Sequence, residues 1–128
     1  MQRKLTEKKV YGITGRANNS NPAPIGIAWQ KFVKIKPAGE CYGIYTNYAS
    51  DYRGDYDFIL ASPVQFETAE PVVLVAGDYL EFEVLEGQAG VAKMWEKIWR
   101  MDINRAYTTD FEHYQNDGKV KIYIALKM

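Results

Sequence analysis

The chain has 128 residues, in which 16 lysines and arginines balance 16 aspartates and glutamates. A chain of this length buries roughly two thirds of its unfolded surface as one domain, and its balanced charge disfavours direct binding to nucleic acid or to an anionic membrane. The single cysteine and single histidine exclude an internal disulfide and argue against a metal centre.

The N-terminal stretch MQRKLTEKKVYG lacks the apolar segment of a signal peptide, and no apolar run approaches the roughly 20 residues of a membrane span. We therefore predict a cytoplasmic protein. The glycines of YGITG match neither the dinucleotide fingerprint nor the phosphate-binding loop, so we expect no cofactor.

The first half of the chain predicts a strand, a helix and a hairpin in that order. The strand is KVYGITGR (9–16), and the hairpin is NYASDYRGDYDFIL (47–60), with a glycine-containing turn. Between them, apolar residues recur at helical spacing at Ile25, Ala28, Trp29, Phe32 and Val33.

The second half repeats this order after a linker. Residues 72–75 (VVLV) predict an added strand, DYLEFEV (78–84) a second strand, and FEHYQNDGKVKIYI (111–124) a hairpin. The helix between them carries apolar residues at Val91, Met94, Trp95, Ile98 and Trp99.

The two halves align as a repeat. AWQKFVKI and MWEKIWRM match with Trp29 and Trp95 at an offset of 66 (95 minus 29), and the hairpins match at an offset of 64 between Gly54 and Gly118 (118 minus 54). We predict an α+β fold of duplicated β-α-β-β units with pseudo-twofold symmetry. Two helices would cover a mostly antiparallel sheet, with a ligand cleft between the halves.

The predicted domain organisation is a single domain over residues 1–128. Repeat one spans about 9–62, the linker about 63–71, and repeat two about 72–128.

Glu112 is an acid in an otherwise apolar strand, and the hairpin offset makes it the counterpart of Tyr48. A two-residue Asp117-Gly118 turn would pair Glu112 with Tyr123 and turn the acid to solvent, where most carboxylates lie. A three-residue turn beginning at Asn116 would instead oppose Glu112 to Ile122 and turn it towards the helices. The pattern alone leaves both arrangements open.

A carboxylate buried in the second arrangement would need compensation. A cation is the natural complement, and an aromatic cation would also gain cation–π contacts. The aromatic content of 14%, with ten tyrosines, suits the wall of such a pocket. Strand alternation and the repeat add Tyr48 and Tyr114 as candidate wall residues.

The blocks YGIYTNY, YDFILAS, AGDYLEFEVLEG, DFEHY and VKIYIAL together resemble the GyrI-like effector-binding domains, which also form the ligand-binding half of AraC-type and multidrug-responsive transcription activators. The resemblance implies a central apolar pocket for cationic, often aromatic compounds. It assigns the acidic role to Glu112 and wall positions to Phe82, Trp29 and Trp95. It also favours the three-residue turn.

The resemblance further implies a stand-alone form, because only about nine residues precede the first predicted strand and leave no room for a helix-turn-helix segment. Regulation of transcription would then require a separate regulator protein. We expect a small-molecule ligand as the partner, with sensing or sequestration as the output.

Two alternatives stay open. One is hydrolysis of small electrophilic compounds, with Glu112 and either Tyr48 or Tyr114 as a general acid–base pair; the binding interpretation assigns no catalytic residue. The other is a protein-interaction role, such as the topoisomerase inhibition that the resemblance suggests.

Overall fold

The computed structural model describes residues 2–21, 23–51 and 53–127. The predicted domain limits at residues 1 and 128 lie outside them. The described residues form, in chain order, β1 Gln2–Leu5, β2 Lys8–Ala17, α1 Ala23–Ile35, β3 Cys41–Thr46, β4 Tyr56–Ser62, β5 Glu70–Leu74, β6 Gly77–Val84, α2 Val91–Arg100, β7 Thr109–Tyr114 and β8 Val120–Ala125. Neither helix is long and apolar enough to cross a membrane.

The strands form one antiparallel sheet in the order β1-β6-β8-β7-β3-β4-β2-β5. Only residues 6 and 7 connect β1, at one edge, to β2, which lies six strand intervals away. A flat sheet would separate these strands by roughly 29 Å, whereas a two-residue connection spans at most about 11 Å. The β5–β6 connection imposes the same limit, so the sheet curls into an open half-barrel.

The duplicated β-α-β-β architecture is confirmed. The first unit is β2-α1-β3-β4, the second is β6-α2-β7-β8, and β3 pairs with β7 where the two units meet. The strand predicted at 72–75 is confirmed as β5, at Glu70–Leu74.

The sequence prediction is wrong at two strands. It omitted β1, which adds to the sheet beside β6 through pairs such as Gln2 with Leu80. It also began the first hairpin at residue 47, whereas β3 ends at Thr46. The β3–β4 connection, from 47 to 55, is therefore four residues longer (nine minus five) than the β7–β8 connection, from 115 to 119.

This difference changes the counterpart of Glu112. Phe58 in β4 and Ile122 in β8 are equivalent at the predicted offset of 64 (122 minus 58). Tyr45 lies opposite Phe58, and Glu112 lies opposite Ile122. Tyr45 is therefore the first-repeat counterpart of Glu112, and the pairing of Glu112 with Tyr48 is wrong.

The two faces of the sheet bury different clusters. The inner face carries no helix, yet Val10, Ile44 and Ala61 are fully buried there, because the curl encloses them. Both helices pack on the outer face through buried side chains, notably Phe32 of α1 and Ile98 of α2. Burial of such a side chain contributes about 1.5–3 kcal/mol. Glu112 lies on this outer face.

Candidate functional site

The turn between β7 and β8 decides which way Glu112 faces. Gln115 donates its backbone N–H to Lys119 at 2.9 Å, and Gly118 donates to Gln115 at 3.1 Å. Gly118 has φ +85°, a conformation that glycine adopts freely. Glu112 accordingly lies opposite Ile122. The three-residue turn is confirmed, and the solvent-facing arrangement is excluded.

Glu112 is 2% exposed, and its carboxylate accepts three hydrogen bonds from neutral donors. The Tyr114 hydroxyl donates to Oε1 at 2.6 Å. The Tyr45 hydroxyl donates to Oε2 at 3.0 Å, and the indole N–H of Trp95 donates to the same oxygen at 2.6 Å. These bonds come from β3, β7 and α2, so both repeats hold the carboxylate.

Burial raises the pKa of the Glu112 carboxyl above its ordinary value, and the hydrogen bonds from Tyr114, Trp95 and Tyr45 lower it in part. Burial and the adjacent carboxylate raise the pKa of both tyrosine hydroxyls. The two hydroxyls therefore keep their protons and act as donors.

Gly43 makes room for this carboxylate. It lies directly opposite Glu112 across the β3–β7 pair. A β-carbon at position 43 would lie 2.8 Å from Glu112 Oε1 and 3.6 Å from Trp29 Cζ2. A residue with a side chain would therefore displace the carboxyl group.

A cavity of about 400 Å³ opens beside Glu112. Residues of both repeats line it, together with Arg105 from the segment that follows α2. Six of the lining residues are aromatic: Tyr45, Tyr48, Tyr56, Trp95, Trp99 and Tyr114. The cavity therefore combines an aromatic-rich wall with a buried acid, in the cleft predicted between the halves.

Four of the six predicted site residues line this cavity: Glu112, Tyr48, Trp95 and Tyr114. The Tyr48 hydroxyl donates to Asp110 Oδ2 at 2.6 Å, so its hydrogen-bond partner is the other acid of β7.

Trp29 and Phe82 lie outside the lining. Trp29 packs edge-on against Tyr114, with ring centroids 5.3 Å apart, and so supports a wall residue from behind. Phe82 lies opposite Ile122 and packs in the cluster under α2.

Asp110 forms a second buried polar cluster, and its side chain is fully buried. Its Oδ2 accepts from Tyr48 and, at 2.8 Å, from Arg105 Nη2. Its Oδ1 accepts from the backbone N–H of Ala125 at 2.8 Å. The carboxylate is thus paired with the guanidinium of Arg105, whose side chain is only 5% exposed.

The sequence interpretation missed Tyr45, Asp110 and Arg105. Strand alternation could have identified Asp110, which shares the outward face of β7 with Glu112. Tyr45 could have been found only with the correct hairpin alignment. Arg105 lies in an irregular segment that carries no periodic signal. Among the described residues, no group of three or more acidic, histidine or cysteine side chains is arranged to hold a metal.

Three solved structures have the same fold as this chain. An integron cassette protein from the mobile metagenome of Vibrio cholerae has a TM-score of 0.86 and 29% identity, over 99% of this chain and 95% of its own. SAV2435, solved bound to tetraphenylphosphonium, has a TM-score of 0.74 and 14% identity over 99% and 93%. A putative transcription regulation protein from Staphylococcus aureus MU50 has a TM-score of 0.72 and 17% identity over 100% and 97%.

Family comparison covers nearly the whole chain. No curated protein sequence matches it significantly. Residues 3–126, however, match the family described as Cass2, integron-associated effector binding protein. The effector-binding class expected from the sequence is confirmed at this level, and the chain belongs to the Cass2 family of integron-associated effector-binding proteins.

Proposed function

We propose that this protein binds cationic, hydrophobic or aromatic compounds in the cavity beside Glu112. The observation that carries the proposal is the contrast between two buried carboxylates on β7. Asp110 is paired with Arg105, whereas Glu112 accepts only from neutral donors and forms no ion pair with any described residue. A ligand cation would supply the missing charge.

The surroundings of Glu112 favour a cation over other ligands. An ionised carboxylate in an apolar site is costly unless it is paired, and an arriving cation would relieve that cost. At an effective dielectric constant near 20, two unit charges about 4 Å apart attract by about 4 kcal/mol. Aromatic walls add cation–π contacts of about 0.5–2 kcal/mol each. Because several rings line the cavity, cations of different shapes could each find such a contact.

A relative with the same fold supports this ligand class. SAV2435 was solved with tetraphenylphosphonium, a lipophilic aromatic cation. We further propose that this chain acts as one effector-binding domain of the GyrI-like kind, which senses or sequesters such compounds. Any effect on transcription, which the description of the Staphylococcus aureus relative suggests, would pass through a separate regulator protein.

Calorimetric titration with tetraphenylphosphonium tests the proposal. We expect saturable one-site binding, and Glu112→Gln should weaken it by at least about tenfold through loss of the Coulomb attraction. Glu83→Gln is the matched control, because Glu83 is an exposed strand residue outside the cavity. Equal affinity in the Glu112→Gln variant and the wild type would refute the electrostatic anchor.

Hydrolysis of a small electrophile is a second candidate function. One contact favours it: the Tyr114 hydroxyl lies 2.6 Å from a carboxyl oxygen of Glu112, whose pKa is raised by burial. Such a pair suits general acid–base catalysis. The test is turnover of an epoxide or activated ester that Glu112→Gln and Tyr114→Phe each abolish. Binding without turnover would leave the first proposal standing alone.

A further inference from the structure

In the described part of the chain, three charged residues line the cavity: Glu96, Arg105 and Glu112. Arg105 is the basic one. Its backbone is fixed to neighbouring chain, since its N–H donates to Ile103 at 2.8 Å and it forms a bridge with Leu126. The adjacent Ala106 donates to Ala125 at 2.9 Å. The side chain therefore begins from a well-anchored position.

The guanidinium of Arg105 uses only part of its hydrogen-bonding capacity. Nη2 donates to Asp110 at 2.8 Å, and the guanidinium carbon lies 4.3 Å from the ring centroid of Tyr107. The buried atoms Nε and Nη1 have no hydrogen-bond acceptor among the described residues. An arginine has five N–H donors in a rigid fork, so donors remain unsatisfied inside the molecule.

The neighbours of Arg105 in the described part of the chain offer no acceptor to these donors. Asp110 already accepts from Tyr48, Arg105 and the backbone of Ala125, so it is held in place. A buried donor without an acceptor is destabilising, and nearly all such groups in proteins find a partner. A ligand in the cavity that carries an acceptor could provide one.

We propose that Arg105 is a second recognition point, which binds an oxygen acceptor of a ligand whose cationic part lies at Glu112. This inference rests on the proposed function and narrows it to bipolar ligands, meaning aromatic cations that also carry a carbonyl, ether or carboxylate oxygen. Asp110 and Glu112 are two residues apart on one strand face, a separation of about 6.6 Å. Because Arg105 bonds Asp110, one drug-sized molecule can reach both Arg105 and Glu112.

Two matched probes separate this inference from simple cation binding. Both are triphenylphosphonium cations with an alkyl chain, which ends in a methyl ketone in one probe. In the other it ends in an isopropenyl group, whose CH₂ replaces the carbonyl oxygen. Several chain lengths cover the span between the two poles. We expect the wild-type protein to bind the best ketone at least about fivefold more tightly than its isopropenyl partner.

Arg105→Lys tests whether this preference depends on the guanidinium. Lysine keeps a positive charge for Asp110 but lacks the planar fork, so the ratio of the two affinities should fall close to one. Arg100→Lys is the matched control, because Arg100 is exposed at the end of α2 and should leave the ratio unchanged. A ratio that persists in Arg105→Lys would overturn the assignment.

The wild-type measurement decides the matter even where a variant folds poorly. Equal affinities of ketone and isopropenyl probes at every chain length would overturn the role of Arg105 while leaving cation binding intact. Failure of wild-type protein to bind either probe or tetraphenylphosphonium would overturn the proposed function and this inference with it.

Discussion

Gly43 lies directly opposite Glu112 across the β3–β7 strand pair, and a β-carbon at position 43 would lie 2.8 Å from a carboxylate oxygen of Glu112. Three hydrogen bonds fix that carboxylate, so it cannot move aside without losing them. A side chain at position 43 in β3 is thus incompatible with the position of the buried Glu112 carboxylate in β7.

Gly43→Ala should destabilise the fold by about 1–3 kcal/mol, the usual cost of overpacking a close-packed interior. It should also weaken tetraphenylphosphonium binding, because Glu112 must leave its hydrogen-bonded position. Urea unfolding and calorimetric titration measure the two effects.

Gly26→Ala is the control for this substitution. Gly26 lies in α1, and no atom would come within 4 Å of an added β-carbon. The change should leave ligand affinity unchanged and stabilise the helix by up to about 1 kcal/mol. If Gly43→Ala behaved like Gly26→Ala in both measurements, the steric role of Gly43 would be wrong.

Cation affinity should depend on pH through Glu112. Only the ionised carboxylate attracts a cation, and burial raises the pKa of this group above 4.5. Affinity for tetraphenylphosphonium, whose charge does not titrate, should therefore rise with pH through that raised pKa and then level off. Titrations from about pH 4 to about pH 8 should give a flat profile for Glu112→Gln. A wild-type profile parallel to that of the variant would contradict the prediction.

Protein stability should show the opposite pH dependence at the same residue. The folded state holds the Glu112 proton more tightly than the unfolded state does. The contribution of Glu112 to the free energy of unfolding of the wild type therefore falls as pH rises from 4.5 to the raised pKa. Glu112→Gln lacks this loss, so the free energy of unfolding of the variant minus that of the wild type should increase over the same range. Urea unfolding at several pH values measures the difference, in which other titrating groups cancel. A difference that stays constant or decreases with pH would refute it.

The sequence predicted the helices and most strands because their periodicity is local. The apolar stripes around Trp29 and Trp95 recur at helical spacing, and the faces of β7 follow from alternation. The orientation of Glu112 required one further fact, the turn type at Asn116–Gly118, since a change of one residue moves every side chain to the other face. The family resemblance favoured the correct turn where the pattern left two.

Three of the missed features could not be found from local periodicity. Tyr45 was overlooked because the β3–β4 connection is longer than the β7–β8 connection, and an alignment on turn glycines conceals that difference. β1 carries mostly exposed side chains, so it has no apolar alternation to detect. The pairing of Arg105 with Asp110 joins an irregular segment to a strand, and only the folded chain brings them together.

Asp110→Asn should be strongly destabilising, because it removes the charge that compensates Arg105 in a site where both side chains are almost completely buried. Removal of one partner from a buried ion pair typically costs about 3–5 kcal/mol, and urea unfolding at neutral pH measures it. Asp51→Asn is the control: Asp51 also pairs with an arginine, Arg53, whose side chain is 74% exposed, and water and salt screen such a pair so that its loss has little effect. If Asp110→Asn lowered the free energy of unfolding no more than Asp51→Asn, the buried pair would contribute no more than an exposed one, and the premise that Arg105 is held in place by Asp110 would fall.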